Sequence, residues 1–342
     1  MIGEVASAEE LRSIEEAHAP AVARGARCIE CPLYGQKAGP VMGEIFPGAK
    51  LLVVGEAPGE NEVKSGKPFH GASGGILEDA LEQGGLQRSQ WKSPYYPPTG
   101  EVSVTNTILC MPPVFFDDYL ARVKYEGKQS PVDCCSVRLR RDMVEHLRPY
   151  LAGTAPAPGL IAELPTATIA PVGSLALGGV CDALGIPVGH SRKILPGEVR
   201  SGTIGKQHGA PILVPAKVNA EGRAIRPPIT LVPSYHPAFA MRAEKEMMPV
   251  IVGDLARSAR VAKRGGKIDW REAKPWLNPG PETAINIMER MRLSGAQITV
   301  DIETDGVSTR HCQIRCVGLG AVIDGEELVV VVPIRKISGA LW

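Results

Sequence analysis

LLVVGEAPGENE, residues 51–62, decides the fold of this chain. Leu51 to Val54 form an apolar run without alternation that ends at Gly55. Such a run is a strand buried on both faces, as in a parallel sheet covered by helices. A loop with two glycines follows, and Ile76, Leu77, Ala80 and Leu81 then fall on one face of a helix expected from about Ser73. The same alternation continues downstream. VSVTNTIL at 102–109 reads as the next strand, 133–151 as a helix and TIAPV at 168–172 as a strand. Ser174 opens a further helix, ITLVPS at 229–234 is a strand, and 237–263 are mostly helical. Strand–helix alternation predicts a three-layer αβα domain around a mainly parallel central sheet. Ligands of such sheets bind beyond the carboxyl ends of the strands. GEAPGENE, Asn106 and SYHPAF all lie at such exits.

The chain has 342 residues, 44% hydrophobic and 22% charged, values that exclude a fibrous or wholly disordered protein. Its 38 glycines and 30 prolines predict many loops, and a net charge of +1 excludes a uniformly basic protein while allowing a local basic face. No apolar run approaches the roughly 18–20 residues of a membrane span, and MIGEVASAEEL lacks the features of a signal peptide, so a soluble intracellular protein is expected. Ser7 and Glu10 form a capping box for a first helix. Residues 1–264 are read as one domain and the Gly/Pro/Trp-containing stretch 265–280 as a linker. Residues 281–342 are read as an incomplete second unit, with a helix at 282–293, the strand QITVDIET and a hairpin at Asp324-Gly325.

In a reducing compartment eight cysteines call for a use other than disulfides. Cys28 and Cys31 form a CxxC, Cys110 follows a strand, and Cys134 and Cys135 are adjacent; thiolates at such spacings suit zinc or an iron–sulfur cluster. Cys181 reads as a core residue, and Cys312 and Cys316 share one face of a strand with Ile314. GEAPGENE lacks the Lys-Ser/Thr ending of a phosphate-binding loop and carries carboxylates, so it reads as a catalytic or water-positioning loop. Phe69, in KPFHGASGG, is either a core plug or a stacking platform. His236, before a proline at a strand exit, is either a satisfied polar residue or a catalyst. The stretches 190–226 and 242–274 are rich in Arg and Lys and would suit a nucleic-acid backbone if they shared a side.

GEAPGENEVKSGKPFHGASGGIL, VTNTILCMPP and VPSYHPAFAMR together resemble the successive motifs of the family 4, iron–sulfur uracil-DNA glycosylases, over roughly residues 25–264. The resemblance implies excision of uracil from DNA in base-excision repair. It also implies a [4Fe–4S] cluster on Cys28, Cys31, Cys110 and Cys135, with Cys134 the alternative fourth ligand. Cys135 is preferred because Leu139 then follows at the family's helical spacing, although the stretch from Cys110 is longer than usual. Phe69 would stack on the extruded base, Asn106 would read its edge, and His236 would donate to the departing uracil. Glu56 and Glu62 would position water or support the cationic sugar, and Gly55, Ala57, Gly59 and Ser234 would complete the pocket. Phe239, Met241 and Arg242 would form a wedge into the duplex. His70 stands where the family commonly has valine, and CMPPVFFDDY lacks the basic insertion of a product-trapping subgroup, so turnover is expected. ITVDIETDG resembles the opening of a DnaQ-like 3′–5′ exonuclease domain with an RNase H-like fold. There Asp301 and Glu303 would hold Mg²⁺ or Mn²⁺ in a complete domain, and solvated acids on a strand are the alternative. The partners implied are uracil-containing DNA and a fused or associated polymerase, in a bacterial or phage-infected cytoplasm; the other function weighed is a non-catalytic DNA-binding tether.

Overall fold

A computed structural model describes residues 7–36, 39–88, 100–113, 116–151, 164–189, 199–200, 204–242, 245–268, 276–304, 313–324 and 326–334. The chain divides into two units, Met1–Ile268 and Asp269–Trp342.

The first unit opens with α1 (Ala8–Ala23), where Ser7 and Glu10 form the expected reciprocal cap. There follow β1 (Leu51–Gly55), α2 (Glu60–Ser65), α3 (Ala72–Gln83), β2 (Val102–Asn106), α4 (Phe116–Tyr125), α5 (Pro131–Leu147), β3 (Ala167–Pro171) and α6 (Ser174–Leu184). Short strands come next: β4 (Val188–Gly189), β5 (Val199–Arg200), β6 (Ile212–Val214), β7 (Lys217–Val218), β8 (Ala224–Arg226) and β9 (Ile229–Leu231). Two helices, α7 (Pro237–Arg242) and α8 (Met248–Lys263), close the unit.

The central sheet has the order β2-β1-β3-β9-β6. All pairs are parallel except β6–β9, an antiparallel edge that the apolar pattern of ILV does not announce. Alternation within β1 accounts for the layers. Leu52 and Val54 pack with Leu139, Met143, Leu177 and Val180 of α5 and α6, whereas Leu51 and Val53 pack with Leu77, Leu81, Leu255 and Ala259 of α3 and α8. Both faces are covered, as the unbroken apolar run requires. Cys181 is a buried core residue of α6. The first unit continues past α8, because the Thr230 hydroxyl donates to the Gly266 carbonyl at 2.7 Å.

In the second unit β10 (Trp276–Leu277), α9 (Pro281–Ser294), β11 (Thr299–Thr304), β12 (Ile314–Ile323) and β13 (Glu326–Pro333) form a sheet in the order β10-β13-β12-β11. Its core is Ala284 and Met291 of α9 against Ala321, Ile323, Leu328 and Val330. Asp324, at φ 51°, leads out of β12 into the connection to β13, where the hairpin is expected. Cys316 lies on β12, while Cys312 and Gly325 fall outside the described residues. Among the described residues no helix is long and apolar enough to cross a membrane.

One core residue is anomalous. His146 of α5 is completely buried, and neither ring nitrogen has a hydrogen-bond partner among the described residues. Burial lowers its pKa from 6.5 to about 4. Between these values the unfolded chain binds a proton that the folded chain refuses, so stability falls as pH drops from 6.5 toward 4. The slope is at most about 1.4 kcal/mol per pH unit from this group. His146→Phe is expected to flatten that part of the pH dependence, measured as the urea midpoint at pH 7 and pH 5.

Candidate active site

The exits of β1, β2, β3 and β9 meet at one end of the sheet. The Thr107 and Ile108 amides donate to the carbonyls of Gly55 and Glu56 at 2.8 and 2.9 Å, and Val172 N–H donates to the Val54 carbonyl at 2.8 Å. Gly173 N–H donates to the Ser234 carbonyl at 2.8 Å. These bonds place GEAPGENE, Asn106 and SYHPAF side by side.

Gly55 has no room for a side chain. A Cβ there would collide with Asn106 Oδ1 and stand 2.8 Å from the Phe69 ring, so Asn106 and Phe69 both lie directly against β1. Phe69 is buried, with φ 51°, in the left-handed region that non-glycine residues seldom occupy. Three contacts hold it there. Glu62 Oε1 accepts from its N–H at 2.6 Å, and Arg88 donates to its carbonyl at 2.9 Å and to that of Pro68 at 2.5 Å. Glu62 also accepts from Gly59 N–H through Oε2 at 2.7 Å and from Asn106 Nδ2 through Oε1 at 3.4 Å. Since a carboxylate only accepts from an amide, this contact orients the Asn106 side chain and leaves its oxygen toward Gly55.

Both carboxylates therefore have work within the loops. Glu62 organises the turn from Gly59 to Phe69, and Glu56 Oε1 accepts from Leu175 N–H at 3.1 Å, at the start of α6, with Gly173 packed against it. Gly59 is the N-cap of α2, and half-buried Ala57 packs beside the Leu33–Ile108 cluster. Ser234 is buried, its hydroxyl donating to the Tyr235 carbonyl at 3.1 Å.

His236 faces Phe69, with ring centroids 6.2 Å apart and planes 22° from parallel. Its Nδ1 accepts from Ala238 N–H at 3.2 Å, so the neutral ring carries its proton on Nε2. Burial, assisted by the positive charge of Arg242, lowers its pKa to about 4, which keeps it neutral at ordinary pH. The site thus combines a neutral N–H donor, an oriented amide and an aromatic face. Of the expected wedge residues, Phe239 stacks on Tyr235 at 5.4 Å, while Met241 and Arg242 are exposed. His70 is exposed beside Phe69.

The cysteines converge elsewhere in the same unit. Cys28, Cys31, Cys110, Cys134 and Cys135 line one cavity with His18, Tyr34, Ile108 and Leu109. Burial pushes the thiols of Cys28 and Cys31 up to about 11 and that of Cys134 up to about 12, and Cys110 goes higher still. Charge on Cys135 adds to the rise at Cys28, Cys31 and Cys110, and Cys135 packs in one cluster with Cys110 and Cys31. Cys134 is felt at Cys28 and hydrogen-bonds the Cys31 thiol, but is not felt at Cys110. Thiols so placed hold their protons unless a metal replaces them. Among the described residues no three potential ligands gather closely enough for a single ion. The cavity gathers thiol donors of the kind that zinc or an iron–sulfur cluster takes.

Comparison with known proteins accords with this architecture. The profile of the uracil DNA glycosylase superfamily matches residues 42–256. The chain belongs to that superfamily. Among its relatives are proteins named type-4 uracil-DNA glycosylase. That of Sulfurisphaera tokodaii is 40% identical over 87 residues, covering 25% of this chain and 34% of the relative. That of Thermotoga maritima is 33% identical over 87 residues, covering 25% and 40%. That of Saccharolobus solfataricus is 31% identical over 126 residues, covering 36% and 49%. The matches thus span between a third and a half of the length of these relatives.

Two residues of this superfamily member carry structure that its motifs do not flag. Arg88 secures Phe69, and Arg138 of α5 is buried behind Asn106. For Arg138 a signal exists in RLRRD, which sets Asp142 four residues on; for Arg88 we find none.

Gly74 tests the packing. A Cβ there would meet the Phe69 carbonyl oxygen, which cannot move without disturbing the strained turn. Gly74→Ala is expected to destabilise the first unit by about 1–3 kcal/mol, read from urea unfolding.

Proposed function

We propose that this chain hydrolyses the N-glycosidic bond of uracil in DNA. The observation that carries the reading is the packing of Asn106 and Phe69 against Gly55 at the sheet's carboxyl end, with His236 facing Phe69. Bond cleavage leaves an oxocarbenium-like sugar and a uracil anion, and the base must first leave the stack. Phe69 offers the stacking face. Asn106, its amide oriented by Glu62, accepts from uracil N3–H and donates to O4, a pairing that cytosine cannot match. His236, neutral with its proton on Nε2, donates to the oxygen that gains charge. Glu56 and Glu62 are the candidates for placing water or supporting the cationic sugar, and Glu62 also holds the turn through three donors. Arg242 and Lys245, exposed just past His236, would meet phosphates.

Cys28, Cys31, Cys110 and Cys135 would hold a [4Fe–4S] cluster, with Cys135 favoured over Cys134 because it packs in one cluster with Cys110 and Cys31. The cluster would supply a cross-link between the segment 28–31, the turn after β2 and helix α5. For the second unit, Asp301 and Glu303 lie two residues apart on one face of β11 and are exposed, which supports reading it as the opening of an exonuclease-like domain attached to or working with a polymerase.

Two measurements test the proposal. Iron content and broad visible absorption of anaerobically purified protein should fall in Cys28→Ser and Cys135→Ser and stay unchanged in Cys134→Ser and Cys181→Ser. Colourless, fully active protein containing zinc would exclude the cluster. Single-turnover release of uracil, scored as alkali-labile sites, should slow on the order of 10²–10³-fold in His236→Ala with little change in DNA affinity. Wild-type protein that carries its cluster but releases no uracil would leave DNA tethering as the function.

A further inference from the structure

We propose that Arg138 is a positioning residue for Asn106: a buried guanidinium on the thiol-bearing helix that fixes the turn presenting the base-reading amide. The inference rests on the proposed uracil site. Arg138 lies on α5, three residues after Cys135, and is fully buried. Its two terminal nitrogens reach across to the end of β2. Nη2 donates to the carbonyls of Asn106 at 2.7 Å and Thr107 at 2.8 Å. Nη1 donates to Thr105 Oγ1 at 3.0 Å and Asp142 Oδ2 at 2.8 Å. Asp142 is shared, accepting from the Thr105 hydroxyl at 3.1 Å and from Arg24 Nε, beyond α1, at 2.7 Å.

Four acceptors in a fixed fork specify where the peptide planes of Asn106 and Thr107 lie, which a single ion pair could not do. β1 holds the amide edge of these two peptides, through Thr107 N–H to Gly55 and Ile108 N–H to Glu56, and Arg138 holds their carbonyl edge. Glu62 orients the Asn106 side chain but not its carbonyl. Four residues farther on, Cys110 enters the thiol cavity together with Cys135. Segment 106–110 is therefore held at its start by Arg138 and at its end beside Cys135, both on α5. A shift of this helix, as on loss of the cysteine pocket, would move the amide that reads the base.

A core ion pair without this role would affect stability alone. Arg138→Lys keeps the charge but cannot span the fork, and Thr105→Val removes the hydroxyl shared by Arg138 and Asp142. Arg138→Lys is expected to keep its iron content and the hydrogen-exchange protection of α5. Exchange at residues 105–110 should quicken, and single-turnover uracil release should slow by about 10- to 100-fold, because small misplacements of a binding group carry large rate penalties. Affinity for DNA bearing a non-cleavable deoxyuridine analogue should change by less than about 3-fold, the split expected of a transition-state defect. A lower melting temperature with wild-type release, measured where the variant is folded, would overturn the inference. If Arg138→Lys loses iron and helix, Thr105→Val decides: slower release with intact iron supports the role, and an unchanged rate overturns it. If wild-type protein releases no uracil, the proposed function fails on its own. The exchange data then decide: faster exchange at 105–110 in Arg138→Lys with α5 unchanged supports the coupling, and unchanged exchange overturns it.

Discussion

The candidate site depends on one carboxylate. Glu62 accepts from the backbone of Gly59, the backbone of Phe69 and the side chain of Asn106, and so ties three separate pieces of chain to one another. The Phe69 bond is the most consequential, since a left-handed phenylalanine returns to ordinary backbone geometry unless its surroundings prevent it. Arg88 opposes that return from the carbonyl side, and Gly74 and Gly55 leave the space the turn needs. The ring is thereby held against β1, facing His236, before any ligand arrives.

Electrostatics divide the first unit into two unlike pockets. Around His236 burial favours the neutral ring, and the backbone donor at Nδ1 selects the tautomer that can donate outward. Around the cysteines burial also opposes charge, but several thiols share the cavity and raise one another. Protonated thiols suit such a space in isolation, whereas thiolates require a cation to offset their charge. Arg138 contributes part of that offset, since its charge eases ionisation of both Cys28 and Cys110. The guanidinium that touches the carbonyl of Asn106 is thus also felt in the cysteine cavity.

The layers were legible from sequence because burial on both faces leaves an unbroken apolar run, and LLVVG has one. The helices beginning at Ala72, Pro131 and Ser174 were legible from their apolar periodicity and starting residues. The edge strand β6 was not, because three apolar residues carry no direction and only pairing with β9 makes the strand antiparallel. Hairpin β7–β8 and helices α2 and α4 were missed for a related reason: they are short or lack a long apolar face. At the site, residue types were readable and connections were not. Glu62 reads as a site carboxylate in GEAPGENE, while its partners lie at Phe69 and Asn106, distances along the chain that no local pattern encodes. The buried cation at Arg138 is similarly hidden in a run that looks like a solvated helix face, because its acceptors come from another strand.

Under the proposed reading these connections bear on selectivity. An amide free to rotate by half a turn could pair with either uracil or cytosine, since it carries a donor and an acceptor of nearly the same size. Discrimination therefore requires that rotation be costly. Glu62 makes it so, because turning the amide would set its oxygen against a carboxylate oxygen in a buried setting. Under the proposed reading, cytosine then meets a donor where it presents one of its own, and both groups are left unpaired away from water. A site that hydrogen-bonds its substrate in this way rejects an analogue far more strongly than shape alone allows. The same logic explains why so much of the surrounding structure fixes the position of Asn106. Selectivity that depends on mismatched donors survives only if neither the side chain nor the backbone beneath it can shift to relieve the mismatch.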